Sequence, residues 1–168
     1  MKKRPIRIEG EIGYVLLADG TEATIDAEDA ELVGQYNWCL NSDGYVVTNL
    51  PLGNGKSRTL RLHRLVVGDP EGKSVDHRNN DPRMNQKSLL RPATHAENMK
   101  NSKMRDDNTS GHKGASWHRA KEKWQAQIQH EGKKIHLGYF TDIEEATKAY
   151  REAALKYHGE FANFGAPA

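Results

Sequence analysis

The sequence has one cysteine, Cys39, and no long apolar run. A single thiol excludes an intrachain disulfide and a zinc site built from several cysteines, because both need a second sulfur. No window approaches the roughly 18 to 20 consecutive apolar residues of a membrane-spanning helix. The Met-Lys-Lys-Arg start continues into Pro5, Arg7 and Glu9 instead of an apolar signal segment. We therefore expect a cytoplasmic protein that makes no membrane contact.

Apolar side chains are also scarce, at 36% of 168 residues with a mean hydropathy of −0.87. A chain of this length forms one ordinary domain or two to three small ones. The polar composition disfavours a single large core. The aliphatic and aromatic residues that are present still exclude a wholly disordered chain.

The net charge of +2 hides an asymmetry along the chain. Residues 1–70 hold 8 basic and 10 acidic side chains, whereas residues 83–124 hold 10 basic and 4 acidic ones. A local positive excess of this size is typical of a segment that binds a polyanion. A solvated linker is the alternative explanation of the same charges.

Hydropathy patterns divide the chain into three parts. From residue 12 to about 67, short apolar runs broken by Gly, Asn and Asp turns indicate strands, with one short helix at 26–36. From 73 to 104 the pattern is strand, loop, strand, helix. Residues 105–112 have no apolar side chain and are predicted to be a linker. Three strand-like runs and an amphipathic helix follow, so we expect an α+β fold ending in a three-stranded antiparallel sheet packed on one helix.

The middle segment concentrates the reactive side chains. Asp76 and His77 end a predicted strand, and Thr94 with Glu97 forms a capping box that starts a helix with Asn98 in its first turn. This order would bring a carboxylate, an amide oxygen and an imidazole into a small volume. The two kinds of oxygen suit Mg²⁺, and imidazole suits general-base work near neutral pH. Ordinary surface polarity is the alternative for each residue taken singly.

The same segment resembles the HNH homing-type endonucleases of phages and mobile introns. The matching motifs are His63-Arg64-Leu65, Val75-Asp76-His77, Asn85 through Arg91, and Thr94-His95-Ala96-Glu97-Asn98-Met99-Lys100-Asn101. The resemblance covers about 40 residues with several fixed spacings, and it implies the ββα-metal fold at about 73–104. It also implies that His77 activates water, that Asp76 and Asn98 bind a divalent metal (Mg²⁺, with Mn²⁺ as the alternative), and that Arg91 lies near the phosphates.

Position 89 departs from the family pattern. The family usually has its middle asparagine there, whereas this chain has Leu89, and Asn85 in the same loop is a candidate substitute for the lost amide. His63 and His95 are open between packing, phosphate contact and catalysis.

The C-terminal runs alternate with a period of two, as strands with one apolar and one polar face do. A second capping box at Thr141 and Glu144 is predicted to start the last helix. We expect the open face of the sheet to contact base edges and phosphates, although a solvated face is the alternative. With Lys113 at the domain start, the candidate DNA-binding residues are Ser116, His118, Gln125, Gln127, Gln129, Lys134 and His136.

Residues 110–164 resemble the plant ethylene-response-factor (APETALA-two) DNA-binding domain. The matching motifs are Ser110-Gly111, Lys113-Gly114-Ala115, Lys123-Trp124, Gly132-Lys133, Leu137-Gly138, Glu144-Glu145-Ala146, Ala149-Tyr150 and Ala153-Ala154. The resemblance implies that the sheet enters the major groove. Several positions where the plant proteins use Arg or Trp hold other residues here, so base preference does not transfer.

Together these patterns predict a nuclease domain at 1–104, a linker at 105–112 and a DNA-binding domain at 113–168. The expected function is metal-dependent nicking or cleavage of double-stranded DNA by a monomer with no obligate protein partner. A DNA-binding regulator without catalysis is the competing class, favoured by Leu89. A structural interaction protein with no affinity for nucleic acid is a third.

Overall fold

The computed structural model describes residues 3–165. The chain forms two compact units whose boundary lies between Ala93 and Thr94. Each unit has a hydrophobic core of its own. Among the helices of the described residues, none is both long and apolar enough to cross a membrane.

The first unit begins with an antiparallel sheet of three strands in sequence order. They are β1 (Ile6–Glu9), β2 (Ile12–Leu16) and β3 (Glu22–Asp26). Successive side chains of a strand point to opposite faces, so Val15, Ala23 and Ile25 are buried on the same side of the sheet. This sheet forms one wall of the first core.

A 3₁₀ turn and the one-turn helix α1 connect this sheet to a second one. Their bounds are Ala27–Asp29 for the turn, Ala30–Val33 for α1, and Cys39–Leu40, Val46–Gly53 and Lys56–Arg61 for strands β4, β5 and β6. Trp38, before β4, is 1% exposed and donates its indole N–H to the carbonyl of Val33 at 3.0 Å. The indole thus joins the helical segment to the second sheet through the core.

Helix α2 (Leu62–Val67) follows β6, where the sequence pattern predicted continued β-structure. That prediction is wrong for these six residues. Leu62 and Val66 are four apart and both buried, so one side of a helix faces the core. Gly68 ends the helix in the left-handed conformation, with φ of 78°, which glycine adopts without steric cost.

Strands β7 (Ser74–His77) and β8 (Leu90–Ala93) form the third sheet of the first unit, a two-stranded antiparallel pair. The loop between them, residues 78–89, ends in a 3₁₀ turn at Lys87–Leu89. Both strands were predicted at about these positions.

The second unit contains α3 (His95–Lys100), the antiparallel strands β9 (Ala115–His118), β10 (Lys123–His130) and β11 (Lys133–Phe140), and α4 (Ile143–His158). Tyr150 and Ala154 of α4 pack on Ile128 of β10. Gly114, before β9, lies so close to α4 that a Cβ atom there would come within 2.0 Å of the Tyr150 ring. The strand therefore approaches the helix at a position that only glycine fits.

The two capping predictions have different outcomes. Thr94 and Glu97 form the complete capping box at α3, as expected. At α4 the N-cap is Asp142, whose carboxylate accepts from the backbone N–H of Glu144, so the predicted cap at Thr141 is wrong. A carboxylate one residue later provides the same kind of acceptor for the first turn.

The mixed α+β class with several small antiparallel sheets is confirmed. The arrangement of β7, β8 and α3 as one ββα motif stays a prediction, as do the domain bounds at 104 and 113. Residues 166–168 of the predicted DNA-binding domain lie outside the described part.

The predicted linker has structure at its C-terminal end. Asn108 Oδ1 accepts from the backbone N–H of Gly111, and Ser110 Oγ donates to the carbonyl of Ala115 at 2.7 Å. His112 Nδ1 lies 2.9 Å from Thr147 Oγ1 on α4. Residues 108–112 are thus bound to the sheet and helix of the second unit by hydrogen bonds.

Candidate active site

Strands β7 and β8 bring Asp76 and Arg91 together. The two residues are directly opposite in the antiparallel register, which places their side chains on the same face. Arg91 contacts Asp76 Oδ2 through Nε at 2.8 Å and through a terminal nitrogen at 2.7 Å. Both side chains are almost fully buried. The carboxylate is therefore held inside the unit by a guanidinium.

His77, the next residue of β7, is 6% exposed and its ring is held by Asn85. His77 Nε2 lies 3.2 Å from Asn85 Oδ1. Asn85 Nδ2 donates to the carbonyl of Pro82, which fixes the amide with its oxygen toward the imidazole. An amide oxygen can only accept, so the bond requires the proton on Nε2, and the neutral ring carries its lone pair on Nδ1. Asn85 thus supplies, from this loop, a side-chain hydrogen bond that the apolar Leu89 cannot make.

The loop that carries Asn85 is bound to the first sheet. Thr24 of β3 donates its N–H to the carbonyl of Arg83 at 2.8 Å and accepts from the N–H of Asn85 at 2.7 Å. Its hydroxyl donates to Gln86 Oε1. Asn85 is fully buried as a result. The N-terminal sheet therefore sets the position of the residue that holds His77.

Lys87 adds an ionic anchor to the same loop. Its ammonium contacts Glu28 at 2.7 Å and Asp29 at 2.8 Å, and its backbone N–H donates to Asp26 Oδ2. The hydrogen bonds that the Lys87 ammonium donates to Asp29 and Glu28 raise its pKa. The pair with Glu28 lies at the surface, so its contribution to stability is small, whereas Asp29 is buried beneath the Lys87 ammonium.

Two further rings pack against His77. The centroids of His63 on α2 and His77 are 5.1 Å apart with nearly perpendicular planes, and Tyr45 lies 5.3 Å from His63 and 6.1 Å from His77. Edge-to-face contacts of this kind fix ring orientation. His63 is 4% exposed, and its Nδ1 has no hydrogen-bond partner among residues 3–165. Of the roles left open for His63, the structure places it in packing against the candidate base.

Burial keeps both imidazoles neutral. It lowers the pKa of His77, although the bond to Asn85 and the charge of Asp76 act in the opposite direction. Burial lowers the pKa of His63 to about 3, with smaller contributions from His77, Arg61 and Arg64. A neutral imidazole near pH 7 is the form that can accept a proton.

The low pKa of His63 predicts a loss of stability in acid. In the unfolded chain His63 binds a proton near pH 6.5, but in the folded chain it does so only near pH 3. The unfolded state therefore binds more protons between these values, and stability falls as the pH is lowered through that window. From pH 7 to pH 5 this group should remove about 2 kcal/mol from the free energy of unfolding.

Urea unfolding of wild type and His63→Gln at pH 7 and pH 5 measures this effect. Over the same pH interval, the free energy of unfolding of His63→Gln should fall by about 2 kcal/mol less than that of wild type. His95→Gln, which removes an exposed imidazole, is the matched control, and His63→Phe preserves a flat ring against Tyr45. Equal pH dependence in wild type and both His63 variants would contradict the burial of a neutral imidazole.

Asn98 and His95 lie on α3 in the second unit. Asn98 is half-buried, and its backbone N–H donates to the carbonyl of Thr94, as expected in a first helical turn. His95 is exposed at the start of the helix. The role of Asn98 beside Asp76 and His77 stays a prediction, and the roles considered for His95 stay open.

The donor set for a metal consists of oxygens. Within the described ranges, no three His, Cys, Asp or Glu side chains are grouped so that they could hold a metal ion. A carboxylate and an amide oxygen are the hard ligands that Mg²⁺ prefers, and Mg²⁺ commonly keeps several waters and takes phosphate ligands. The side-chain oxygens of Asp76 and Asn98 are of this chemical type, but that the two bind one metal stays a prediction, and Arg91 occupies Oδ2 of Asp76.

Two of the residues predicted to contact DNA bind other groups of the protein. Arg91 is 5% exposed and bound to Asp76, so its guanidinium is directed to the carboxylate. Lys113 is half-buried, donates to the carbonyl of Ser102, and has its pKa lowered to about 8 by burial. Their contacts with DNA stay predictions.

The strand register of the second unit places the predicted polar residues on one face. Gln125 is opposite Ser116, Gln127 opposite His136, and Gln129 opposite Lys134. Gln125 Nε2 lies 3.2 Å from His136 Nδ1, so the amide donates to a ring whose other nitrogen carries the proton. The face therefore presents amides and an imidazole N–H at fixed positions on a sheet.

A β-bulge adds Tyr139 to this polar face. The register shifts between Ala126 and Gln127, opposite Gly138, whose φ is 144°. The shift turns Tyr139 from the apolar side, where simple alternation puts it, toward the polar one. Its ring lies 5.3 Å from His118 and 4.5 Å from His136, and the Lys121 ammonium lies 3.9 Å from its centroid. The only sequence signal for this change was the glycine within β11.

The fold and site together define a mixed α+β protein with a buried Asp-His pair held by an arginine and an asparagine, and with a second unit presenting a polar sheet face. No family model matches the chain. It is 35% identical over 95 residues to Protein 3.8 of Escherichia phage T7, and the match covers 56% of this chain and 78% of the phage protein. The chain therefore belongs to the family of that phage protein.

Among solved structures, the chain is similar to the one described as DNA binding and cleavage by the HNH homing endonuclease I-HmuI. The identity is 18%, with 94% of this chain and 91% of the other covered, and the TM-score is 0.36. At this TM-score the superposition does not assign chemistry to individual residues.

Proposed function

We propose that this chain is a metal-dependent HNH-type endonuclease that nicks or cleaves double-stranded DNA. The observation that carries the proposal is the hydrogen bond between His77 and Asn85, which holds a buried imidazole in one tautomer beside Asp76. A neutral, oriented histidine suits a general base. The motif spacing from His63 to Asn101 supports the same reaction class.

Each residue of the proposed centre has a separate task. His77 takes a proton from the attacking water, and Asn85 keeps its ring from rotating. Arg91 orients the Asp76 carboxylate and balances its charge inside the unit. Tyr45 and His63 pack against the imidazole and restrict the space around it.

Asp76 and Asn98 would hold the metal, Mg²⁺ or Mn²⁺, through one carboxylate and one amide oxygen. Bound by these two residues, a divalent ion would supply positive charge to the scissile phosphate and to the leaving oxygen. The structure contributes the burial of Asp76, which makes its charge more effective than it would be in water.

Recognition of DNA is assigned to the polar sheet face of the second unit, acting in a monomer. Strand side chains that carry amides and imidazoles can bond to the edges of bases, which distinguish sequence in the major groove. Tyr139 and Lys121 extend that surface with a cation held over an aromatic ring.

A DNA-binding regulator without catalysis is the second candidate. The ion pair between Arg91 and Asp76 favours it, because the guanidinium occupies an oxygen that a metal would use. Leu89 at the usual asparagine position favours it as well.

Incubation of supercoiled plasmid with the protein in Mg²⁺, Mn²⁺ or EDTA separates the two candidates, with a gel-shift assay run in parallel. Metal-dependent nicking supports the nuclease. Binding of a verified target without cleavage in any metal supports the regulator. Absence of retention on duplex DNA at low salt would contradict both, because phosphate contacts strengthen as salt is removed.

A further inference from the structure

Basic residues are segregated within the acidic N-terminal part of the chain. Residues 44–68 contain four basic side chains and no acidic one, while the rest of residues 1–70 holds four basic and ten acidic side chains. The average over 1–70 conceals this difference. The four residues are Lys56, Arg58, Arg61 and Arg64.

These residues lie on or beside a two-stranded ribbon. Strand β4 pairs only with Val46 and Val47, so from Thr48 onward β5 has β6 as its strand partner within the described part. The ribbon's turn is at Asn54 and Gly55, and Leu52 beside it is 65% exposed. The β5–β6 ribbon therefore extends beyond the end of β4, the third strand of the second sheet.

The arginines line one groove. A cavity of about 500 Å³ is bounded by Arg58, Arg61 and Arg64, with Asn41 and Asn49 among its other polar residues. Asp69 is the acidic residue that the groove contains, and it is ion-paired with Arg64. Two exposed guanidinium groups, of Arg58 and Arg61, thus give the groove an excess of positive charge.

The groove is connected to the candidate base through Tyr45. The Arg61 guanidinium lies 5.8 Å from the centroid of the Tyr45 ring, and that ring packs against His63 and His77. A phosphate held by Arg61 would consequently be separated from His77 by about one layer of side chains.

We infer that the β5–β6 ribbon binds the phosphodiester backbone of duplex DNA through Arg58 and Arg61, on the part of the first unit that carries His77. The planar donor fork of arginine matches two phosphate oxygens, and an antiparallel ribbon has the width that a major groove admits. The inference rests on the proposed function and adds to it a substrate contact within the first unit. The contact between Arg61 and Tyr45 is the observation that relates this surface to the candidate base.

The test compares two full-length double variants. Arg58→Gln/Arg61→Gln removes the two exposed guanidinium groups of the groove. Lys3→Gln/Arg7→Gln removes the same charge from exposed positions at β1 and the segment before it. Affinity for duplex DNA is measured by fluorescence anisotropy at several salt concentrations, with circular dichroism to verify folding.

The ribbon variant should bind at least about tenfold more weakly, because each charge-assisted hydrogen bond contributes substantially to affinity. Its slope of log K against log salt should fall by about two, since two phosphate contacts are lost. The control should retain the wild-type slope. Arg58→Lys/Arg61→Lys should recover the slope but only part of the affinity, because lysine keeps the charge without the fork.

Equal affinity and slope in the ribbon variant and the control would overturn the inference, even if wild type nicks DNA. Wild type that binds DNA without nicking would contradict the nuclease alone, and loss of binding in the ribbon variant would then still support the contact. Wild type that does not bind duplex DNA would overturn both. Equally tight binding of poly-glutamate through the same arginines would overturn the assignment of the partner as DNA.

Discussion

Replacing His77 with alanine should slow the nicking of supercoiled plasmid by about 10² to 10⁴-fold, the usual contribution of a general base. The substitution removes the imidazole that Asn85 orients, and it leaves the ribbon and the polar sheet face unchanged. DNA affinity should therefore stay within about twofold of wild type. Single-turnover cleavage at saturating protein measures the chemical step separately from binding.

His95→Ala is the control for His77→Ala, because it removes an exposed imidazole from the same sequence motif. It should cleave at nearly the wild-type rate. Equal rates for wild type and His77→Ala, in preparations free of contaminating nuclease, would remove His77 from the mechanism. A large loss in His95→Ala alone would assign the base to α3 instead.

Replacing Arg91 with methionine should destabilise the first unit by about 3 to 5 kcal/mol. Methionine fills a similar volume but leaves the Asp76 carboxylate buried without its guanidinium partner, and breaking a buried pair on one side costs about this much. Chemical denaturation of the variant and wild type at pH 7 measures the difference.

The double variant Arg91→Met/Asp76→Asn removes both charges and should be more stable than Arg91→Met alone. Arg83→Gln, at an exposed arginine paired with Asp81, is the comparison for loss of a surface ion pair and should change stability by less than about 1 kcal/mol. If Arg91→Met costs no more than Arg83→Gln, the buried pair has no special role in holding Asp76.

Local patterns predicted the elements whose side chains repeat with a clear period. The strands β7, β8, β10 and β11 and the capping box at Thr94 all follow from spacing within a few residues. Helix α2 was missed because Leu62 and Val66 provide only one i,i+4 pair, and six residues are too few to show a helical period.

The candidate site was harder to predict because its contacts join residues distant in sequence. The sequence placed Asn85 in the correct loop, but its bond to His77 depends on Thr24, which lies in another sheet. Simple alternation along β11 would put Tyr139 on the apolar face, but a single bulge reverses the alternation of the strand. The arginine groove was hidden by averaging charge over residues 1–70, because the basic segment, residues 44–68, is only about a third of that length.

The attachment of the β7–β8 loop to β3 also determines when the centre can form during synthesis. The backbone hydrogen bonds of Thr24 with Arg83 and Asn85 join residues about 60 positions apart, so they cannot exist until nearly the whole first unit has left the ribosome. Contacts of such long sequence separation form late, because chain closure must precede them. A nascent chain that ends before residue 83 contains Asp76 and His77 without the residue that orients the imidazole. A chain broken off before this loop therefore lacks the oriented imidazole on which the proposed centre depends.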